Sequence, residues 1–279
     1  MQAQREQSDE KTIQKLQRQV DELTTANLLL QDQLARKEQF IAMIAHELRS
    51  PLSPIINYAQ MLARQASMPP KKERDASQRS GTVLRHTNII ISQARRLSRL
   101  VNDLLDASRL TSGQFTLLRE NCDIVALAGE TVDQLRPVAP YHTLVLDAPD
   151  TAVSSKWDGG RLQQALGNLL DNAIKYSDEG STITISIKVS EESVHVSVHN
   201  QGPTIASAET SLLFRPYMRL SAASTRQGSG LGLYITKSII EAHGGTLQLE
   251  PHTEEASSER PQGTTFSFDL PLMTSQASS

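Results

Sequence analysis

His46 and Glu47 place a nitrogen nucleophile directly beside a carboxylate, between the apolar run Ile41 to Ala45 and Pro51. A neutral imidazole attacks phosphorus well, and an adjacent carboxylate can take the ring proton or fix the tautomer. Pro51 has no amide hydrogen for the carbonyl of Glu47, so a helix through this stretch is expected to bend one turn past the histidine. A second constellation is Asn168-Leu-Leu-Asp-Asn-Ala-Ile-Lys-Tyr, which sets Asn168, Asn172 and Lys175 at i, i+4 and i+7 on one helix face. Leu166, Leu169, Ala173 and Ile174 supply the buried side. Two amide oxygens suit Mg²⁺, a hard cation shared with substrate phosphates, and a lysine on the same stripe can meet phosphate as a point charge. Asparagine is also a poor helix former for an ordinary solvated stripe. The third is Gly228-Ser-Gly-Leu-Gly-Leu-Tyr-Ile, where Gly228, Gly230, Leu231 and Gly232 open onto a helix. Backbone approach without Cβ, together with the positive end of a helix, suits phosphate. No strand directly precedes this turn, so it does not read as a dinucleotide fold.

These residues need elements to hold them. From Ile13 the apolar residues fall at Leu16, Val20, Leu23, Leu30, Leu34, Ile41 and Ile44, in steps of three and four, with Asn27 and Lys37 filling two seam positions. That is a heptad pattern whose stripe is too narrow to anchor a helix on a globular core, and it predicts a parallel coiled-coil dimer. The alternative is a solvated helix packed on its own domain. The helix is expected to continue to about Gln65 and to end at the Pro-containing stretch Ser67 to Arg74. A second periodic run, Val83 to Leu105, ends near Thr111-Ser-Gly, so two hairpins would make a four-helix bundle. Arg85, Arg95, Arg96 and Arg99 read as its solvated face. After Gly113 the texture changes. Alternating apolar residues predict strands at Thr143 to Leu146, Ser181 to Ile187, Ser193 to Val198, Thr246 to Leu249 and Thr264 to Leu270. Helices are expected at Ile124 to Leu135, Arg161 to Tyr176 and Leu231 to His243. A sheet with one polar face and helices on the other is an α+β arrangement.

The 279 residues, 38% hydrophobic, suffice for two domains with a real core. A net charge of −3 gives no global field towards nucleic acid or an anionic membrane. The single cysteine, Cys122, reads as a small core residue and suits a reducing, cytoplasmic setting. No stretch approaches the roughly 20 apolar residues of a membrane span. The fragment is therefore expected to make no membrane contact itself, although it could be the cytoplasmic part of a longer membrane-attached sensor.

The string His-Glu-Leu-Arg-Ser-Pro-Leu resembles the phosphoacceptor box of the two-component sensor histidine kinases. The resemblance implies that His46 accepts a phosphoryl group and that Glu47 is the general base. Four residues after the histidine, family members often carry Thr or Asn, which orients water to hydrolyse the phosphorylated partner; Ser50 stands there in this chain. Asn168 to Tyr176 resembles the asparagine box, with Tyr176 near the nucleotide base, and residues 228 to 232 resemble the glycine box. Gly263-Thr-Thr-Phe, with Thr265, resembles the final box. Asn200-Gln-Gly-Pro-Thr-Ile stands where the family usually has Asp-x-Gly-x-Gly-Ile to bind adenine. Asn200 keeps a carbonyl acceptor without the charge, Gly202 is retained, and Thr204 replaces a glycine. Phe214 and Tyr217 resemble the aromatic residues of the lid, and Arg219 matches an arginine near the γ-phosphate.

The expected organisation is a coiled-coil signalling linker over 1–39, a dimerisation and phosphotransfer hairpin over 40–112, an α/β two-layer sandwich ATP-binding domain of Bergerat type over 113–273, and a disordered tail over 274–279. The resemblance implies autophosphorylation of His46 from ATP with Mg²⁺, then transfer to an aspartate of a response regulator receiver domain, by a homodimer. The departures at Asn200 and Thr204 motivate a rival, a degenerate kinase acting as a dimeric scaffold or regulator phosphatase. An ATPase of the gyrase or Hsp90 type is a second rival, against which the His46 helix argues.

Overall fold

A computed structural model describes residues 2–67, 74–216, 218, 230–250 and 263–272. The expected tail, and Tyr217, Arg219 and Gly228 among the candidate residues, lie outside them. The chain forms two compact units, residues 1–97 and 98–279.

The first unit contains α1 (Gln2–Ala66) and most of α2 (Arg74–Thr111). Glycine is absent from α1, and its Gln, Leu, Glu and Ala residues favour the helix throughout. The helix continues through Pro51 and Pro54. Most of the heptad stripe is uncovered within the single chain: Leu16, Val20, Leu23, Leu30, Leu34 and Ile41 are all exposed. Where α1 and α2 form the hairpin, Tyr58 packs on the buried His86 with ring centroids 4.9 Å apart.

The second unit takes in the last turns of α2, from Ser98. It continues through β1 (Glu120–Asp123), α3 (Ile124–Leu135), a 3₁₀ turn at Arg136–Val138, β2 (Thr143–Asp147), β3 (Ser154–Trp157), α4 (Gly159–Tyr176), β4 (Thr182–Val189), β5 (Ser193–Gln201), α5 (Ser207–Leu213), α6 (Gly232–Ala242), β6 (Thr246–Leu249) and β7 (Gly263–Pro271). Five strands form one sheet in the order β2-β4-β5-β7-β6, antiparallel except for the β2–β4 pair. The two-stranded β1–β3 sheet and the short α5 were not evident in the sequence.

Alternation along the strands separates the faces. Ile183, Ile185, Ile187, Val194, Val196, Val198, Phe266, Phe268 and Leu270 form the buried face, and α3, α4 and α6 cover it with apolar residues of their own. The opposite face carries Thr184, Ser186, His195, Ser197, His199, Thr265 and Asp269, as a half-buried sheet requires.

Helix starts are set by side chains. Asp123 Oδ1 accepts the amide of Val125 at the start of α3, and Asp158 Oδ1 accepts that of Arg161 at the start of α4. Asp158 also ties the approach to the domain together, because Oδ2 accepts the amide of Leu118 at 2.8 Å. The amide of Asp158 donates to Nε2 of the buried His243 at 3.0 Å, and the other ring nitrogen, Nδ1, donates to the carbonyl of Ile239 at 2.8 Å.

That pair of bonds holds His243 as the neutral tautomer, and burial lowers its pKa, with the bond to Ile239 opposing. The unfolded chain therefore binds a proton more readily than the folded one. Stability is fully present above the ordinary histidine range and is lost as pH falls through it. Thermal melts from pH 7.5 to 5 should show Tm falling with acidification, and His243→Gln should flatten that slope while lowering Tm at pH 7.5.

Candidate functional site

On α1, His46 is exposed and Glu47, the next residue, is 6% exposed. One residue is about 100° of helix, so the histidine looks outward while the carboxylate turns into the hairpin. There Glu47 Oε2 accepts a hydrogen bond from Arg96 Nη2 of α2 at 3.1 Å, an ion pair whose side chains are 8% and 25% exposed. Arg96 is thus not part of a purely solvated face, whereas Arg99 is exposed as expected while its Nη1 meets Asp171 of α4 at 3.1 Å. Arg85 and Arg95 are exposed as the sequence implied. Ser50, one turn after His46, is half-buried.

In the second unit, α4 buries Leu162, Ala165, Leu166, Leu169, Leu170 and Ala173, while Ile174, expected among them, is half-buried. Asn168, Asn172 and Lys175 follow the half-buried margin of this stripe. Asn168 Nδ2 donates to the carbonyl of Gly232 at 3.3 Å and to Thr236 Oγ1 at 3.4 Å, which fixes the opposite direction for its Oδ1. Lys175 Nζ lies 4.9 Å from the centroid of Tyr176. Gly230 adopts φ 67°, Leu231 is 1% exposed, and α6 begins at Gly232, its N-cap residue Leu231 making no side-chain hydrogen bond to the helix. The first amides of a helix are donors suited to an anion.

Asn200, 4% exposed at the end of β5, belongs to the buried sheet face. Gly202 follows with φ 150°, and a Cβ there would sit 2.6 Å from the carbonyl oxygen of Tyr176, so this close crossing of the β5 exit over the end of α4 requires glycine. Thr265 and its neighbour Thr264 lie on opposite faces of the sheet. The register partner of Thr265 is His199, and its hydroxyl lies 2.9 Å from His199 Nδ1 on the polar face. Thr264, paired with Asn200, lies on the buried face and donates to the carbonyl of Pro203 at 2.9 Å. Thr204 is exposed. Phe214 meets Phe266 edge to face at 6.3 Å, and Lys237 Nζ lies 5.6 Å from the Phe214 ring centroid.

A polar cluster absent from the sequence reading joins the end of α2 to the start of α4. Asp106, 5% exposed, accepts from Arg161 Nη1 at 2.7 Å and from Gln164 Nε2 at 2.8 Å, while Arg161 lies over Phe115. Burial, and then the charge of Asp106, push the Asp103 carboxyl up to about 6, with Arg99 opposing. Burial also raises Asp171, again against Arg99. Cys122 is half-buried rather than core, and burial raises its thiol, with Asp123, Asp158 and Glu130 adding to the effect. Such a thiol is not primed as a nucleophile.

Among the described residues no group of three His, Cys, Asp or Glu side chains could hold a metal, and no helix is long and apolar enough to cross a membrane. The amide of Asn168 and the amides at the start of α6 fit a nucleotide whose phosphates bring most of the ligands to a cation.

Residues 36–113 match the His Kinase A (phospho-acceptor) domain, and residues 157–274 match the Histidine kinase-, DNA gyrase B-, and HSP90-like ATPase. The chain belongs to the sensor histidine kinases. The sensor histidine kinase WalK of Bacillus subtilis (strain 168) is 32% identical over 245 residues, which are 86% of this chain and 37% of WalK. Among solved structures, the Acinetobacter baumannii histidine kinase AdeS has a TM-score of 0.56 at 25% identity, covering 82% of this chain and 98% of that one. Full-length ShkA in complex with AMPPNP has a TM-score of 0.57 at 25% identity, covering 84% and 45% respectively. The chain spans between 37% and 61% of the length of the curated relatives it matches. The histidine kinase fold expected from the sequence is thus present, a helical N-terminal region followed by a mixed α/β ATP-binding domain.

Two outcomes test this geometry. Thr264→Val should weaken the affinity for AMPPNP by roughly fivefold, the loss of about 1 kcal/mol for one hydrogen bond, and Thr265→Val should leave it unchanged in calorimetry. At neutral pH the ionised Asp103 opposes folding, because the folded state holds its proton more tightly and stability falls as pH rises from the ordinary carboxylate range through about 6. Asp103→Asn should therefore raise Tm at pH 7.5 and raise it much less at pH 4.5.

Proposed function

We propose that this chain is the kinase core of a two-component sensor, which phosphorylates His46 from ATP and passes the phosphoryl group to an aspartate of a response regulator. The observation that carries the reading is the exposed imidazole of His46 directly beside the buried carboxylate of Glu47, in a chain that also contains a nucleotide module. The unprotonated ring nitrogen attacks the γ-phosphorus, the bond from that phosphorus to the bridging oxygen of ADP breaks, and the proton on the other ring nitrogen passes to Glu47.

In the nucleotide module, Asn168 and Asn172 offer Oδ1 atoms to Mg²⁺, which when bound neutralises phosphate charge. Lys175 and the backbone of Gly230 to Gly232 receive phosphates, with Gly228 and Arg219 assigned to the same end by resemblance. Asn200, Gly202 and Thr264 receive the base, and Tyr176 flanks it. Thr204 is exposed, so its departure from the family glycine gives no support to a degenerate scaffold. Ser50 takes the place of the water-orienting residue for dephosphorylating the regulator. Catalysis in such a site is mainly positioning and charge stabilisation.

The working unit is a homodimer. The uncovered stripe from Leu16 to Ile41, at 55% to 70% exposure for its leucines, supports a second copy as the partner of α1. The reducing, cytoplasmic setting rests on the single cysteine.

The full chain incubated with γ-labelled ATP and Mg²⁺ should acquire an acid-labile, base-stable label on His46, and His46→Gln should abolish it. Steady ATP hydrolysis without protein labelling, or a label mapped to another residue, would overturn the reading.

A further inference from the structure

We propose that Arg96 is a positioning residue for the phosphorylation of His46, holding the Glu47 carboxylate charged and oriented from across the hairpin. The inference rests on the assignment of Glu47 as the base, made above, and extends it to a residue with no motif around it. Glu47 is 6% exposed, and its Oε2 meets Arg96 Nη2 at 3.1 Å. A carboxylate that buried is costly to ionise unless a cation stands beside it. It is also useless as a base once protonated, because it then has no site for the imidazole proton.

The other charged and titratable groups nearby do not replace Arg96. On α1, His46 is exposed and is the nucleophile itself, and Arg49 is exposed. On α2, Arg95 is exposed and Arg99 is engaged by Asp171. The geometry has a second consequence. Glu47 lies one residue from His46 yet faces the hairpin interior, so its carboxylate depends on α2 to fix the direction in which it meets the ring. The guanidinium is planar and always charged, which suits it to this task better than a lysine.

The test is the initial rate of His46 labelling across pH 6 to 9, with the full chain, for wild type, Arg96→Ala, Arg96→Lys, Arg96→Gln and Glu47→Gln, with AMPPNP affinity and Tm recorded for each. Wild type should lose rate on the acid side, where a protonated imidazole cannot attack. Arg96→Ala should lose it more steeply and at higher pH, because Glu47 then takes up a second proton. Its rate should fall about tenfold at pH 7 and approach wild type near pH 9, and Arg96→Lys should restore part of the difference, within the roughly 10² to 10⁴ that a general base contributes. AMPPNP affinity should not change. If Arg96→Ala is unfolded, Arg96→Gln, which keeps most of the side-chain length, provides the same comparison. A folded Arg96→Ala or Arg96→Gln whose profile has the wild-type shape, whether at full rate or uniformly reduced, overturns the proposal while Glu47→Gln is inactive. A fully active Glu47→Gln instead overturns the assignment of Glu47 on which the proposal rests.

Discussion

The burial of one face of α4 governs where the proposed nucleotide residues stand. Leu162, Ala165, Leu166, Leu169, Leu170 and Ala173 are all at most 3% exposed, held between the sheet and the neighbouring helices. Each leucine contributes about 1.5 to 3 kcal/mol on burial. The intrinsic cost of placing Asn168, Asn172 and Gly167 in a helix is at most about 1 kcal/mol each. Packing therefore overrides propensity, and once the apolar stripe is seated, the asparagines can only emerge along its margin. The same apolar layer seats Ile235, Ile239 and Ile240 of α6, and Asn168 then bridges to Gly232 and Thr236. Two helix features that would meet a ligand are thus held by a core that never touches it.

Much of this was legible from periodicity. The alternation of Thr143 to Leu146 and Ser193 to Val198 marked strands whose observed bounds are β2 and β5, and α3 runs from Ile124 to Leu135 as its apolar spacing implied. The four-residue strands β1 and β3 were not legible, because Glu120–Asp123 and Ser154–Trp157 are too short to show a period, and their pairing joins segments far apart in sequence. Which of Thr264 and Thr265 shares a face with Asn200 was not legible for a different reason. Two adjacent threonines point to opposite faces, and only the register against Asn200 decides between them. Arg96 and Arg99 were legible as helix-surface residues but not as partners of Glu47 and Asp171, since those contacts span 49 and 72 positions. A closer signal was available in the spacing of Arg96, Arg99, Asp103 and Asp106 at three and four residues, which lines one helix face with two arginines followed by two aspartates.

The two units solve opposite problems. In the second, apolar surface is covered within the chain. In the first, α1 leaves Leu16, Leu23, Leu30 and Leu34 outside, while it buries a carboxylate, Glu47, together with Pro51. A helix that exposes its apolar stripe and buries an acid has its hydrophobic gain still to come from a partner copy, and its buried charge already compensated by Arg96. The proposed dimer thus follows from the same accounting of apolar area that makes α4 self-sufficient.

The contact between the last turns of α2 and α4 is of another kind again. Asp106, Arg161, Gln164, Arg99 and Asp171 join through charged and polar groups, with Asp103 drawn into the same crowd of carboxylates. Buried ion pairs gain little over the cost of desolvating them, and partly exposed pairs such as Arg99 with Asp171 gain less. Three carboxylates share two arginines, so the attraction is further offset by repulsion among Asp103, Asp106 and Asp171. An apolar seam of the same extent would hold α2 to α4 with several leucines' worth of burial and would be costly to part. A joint built from near-balanced charges can be remade at small net cost, which suits the proposed transfer of a phosphoryl group from the nucleotide module.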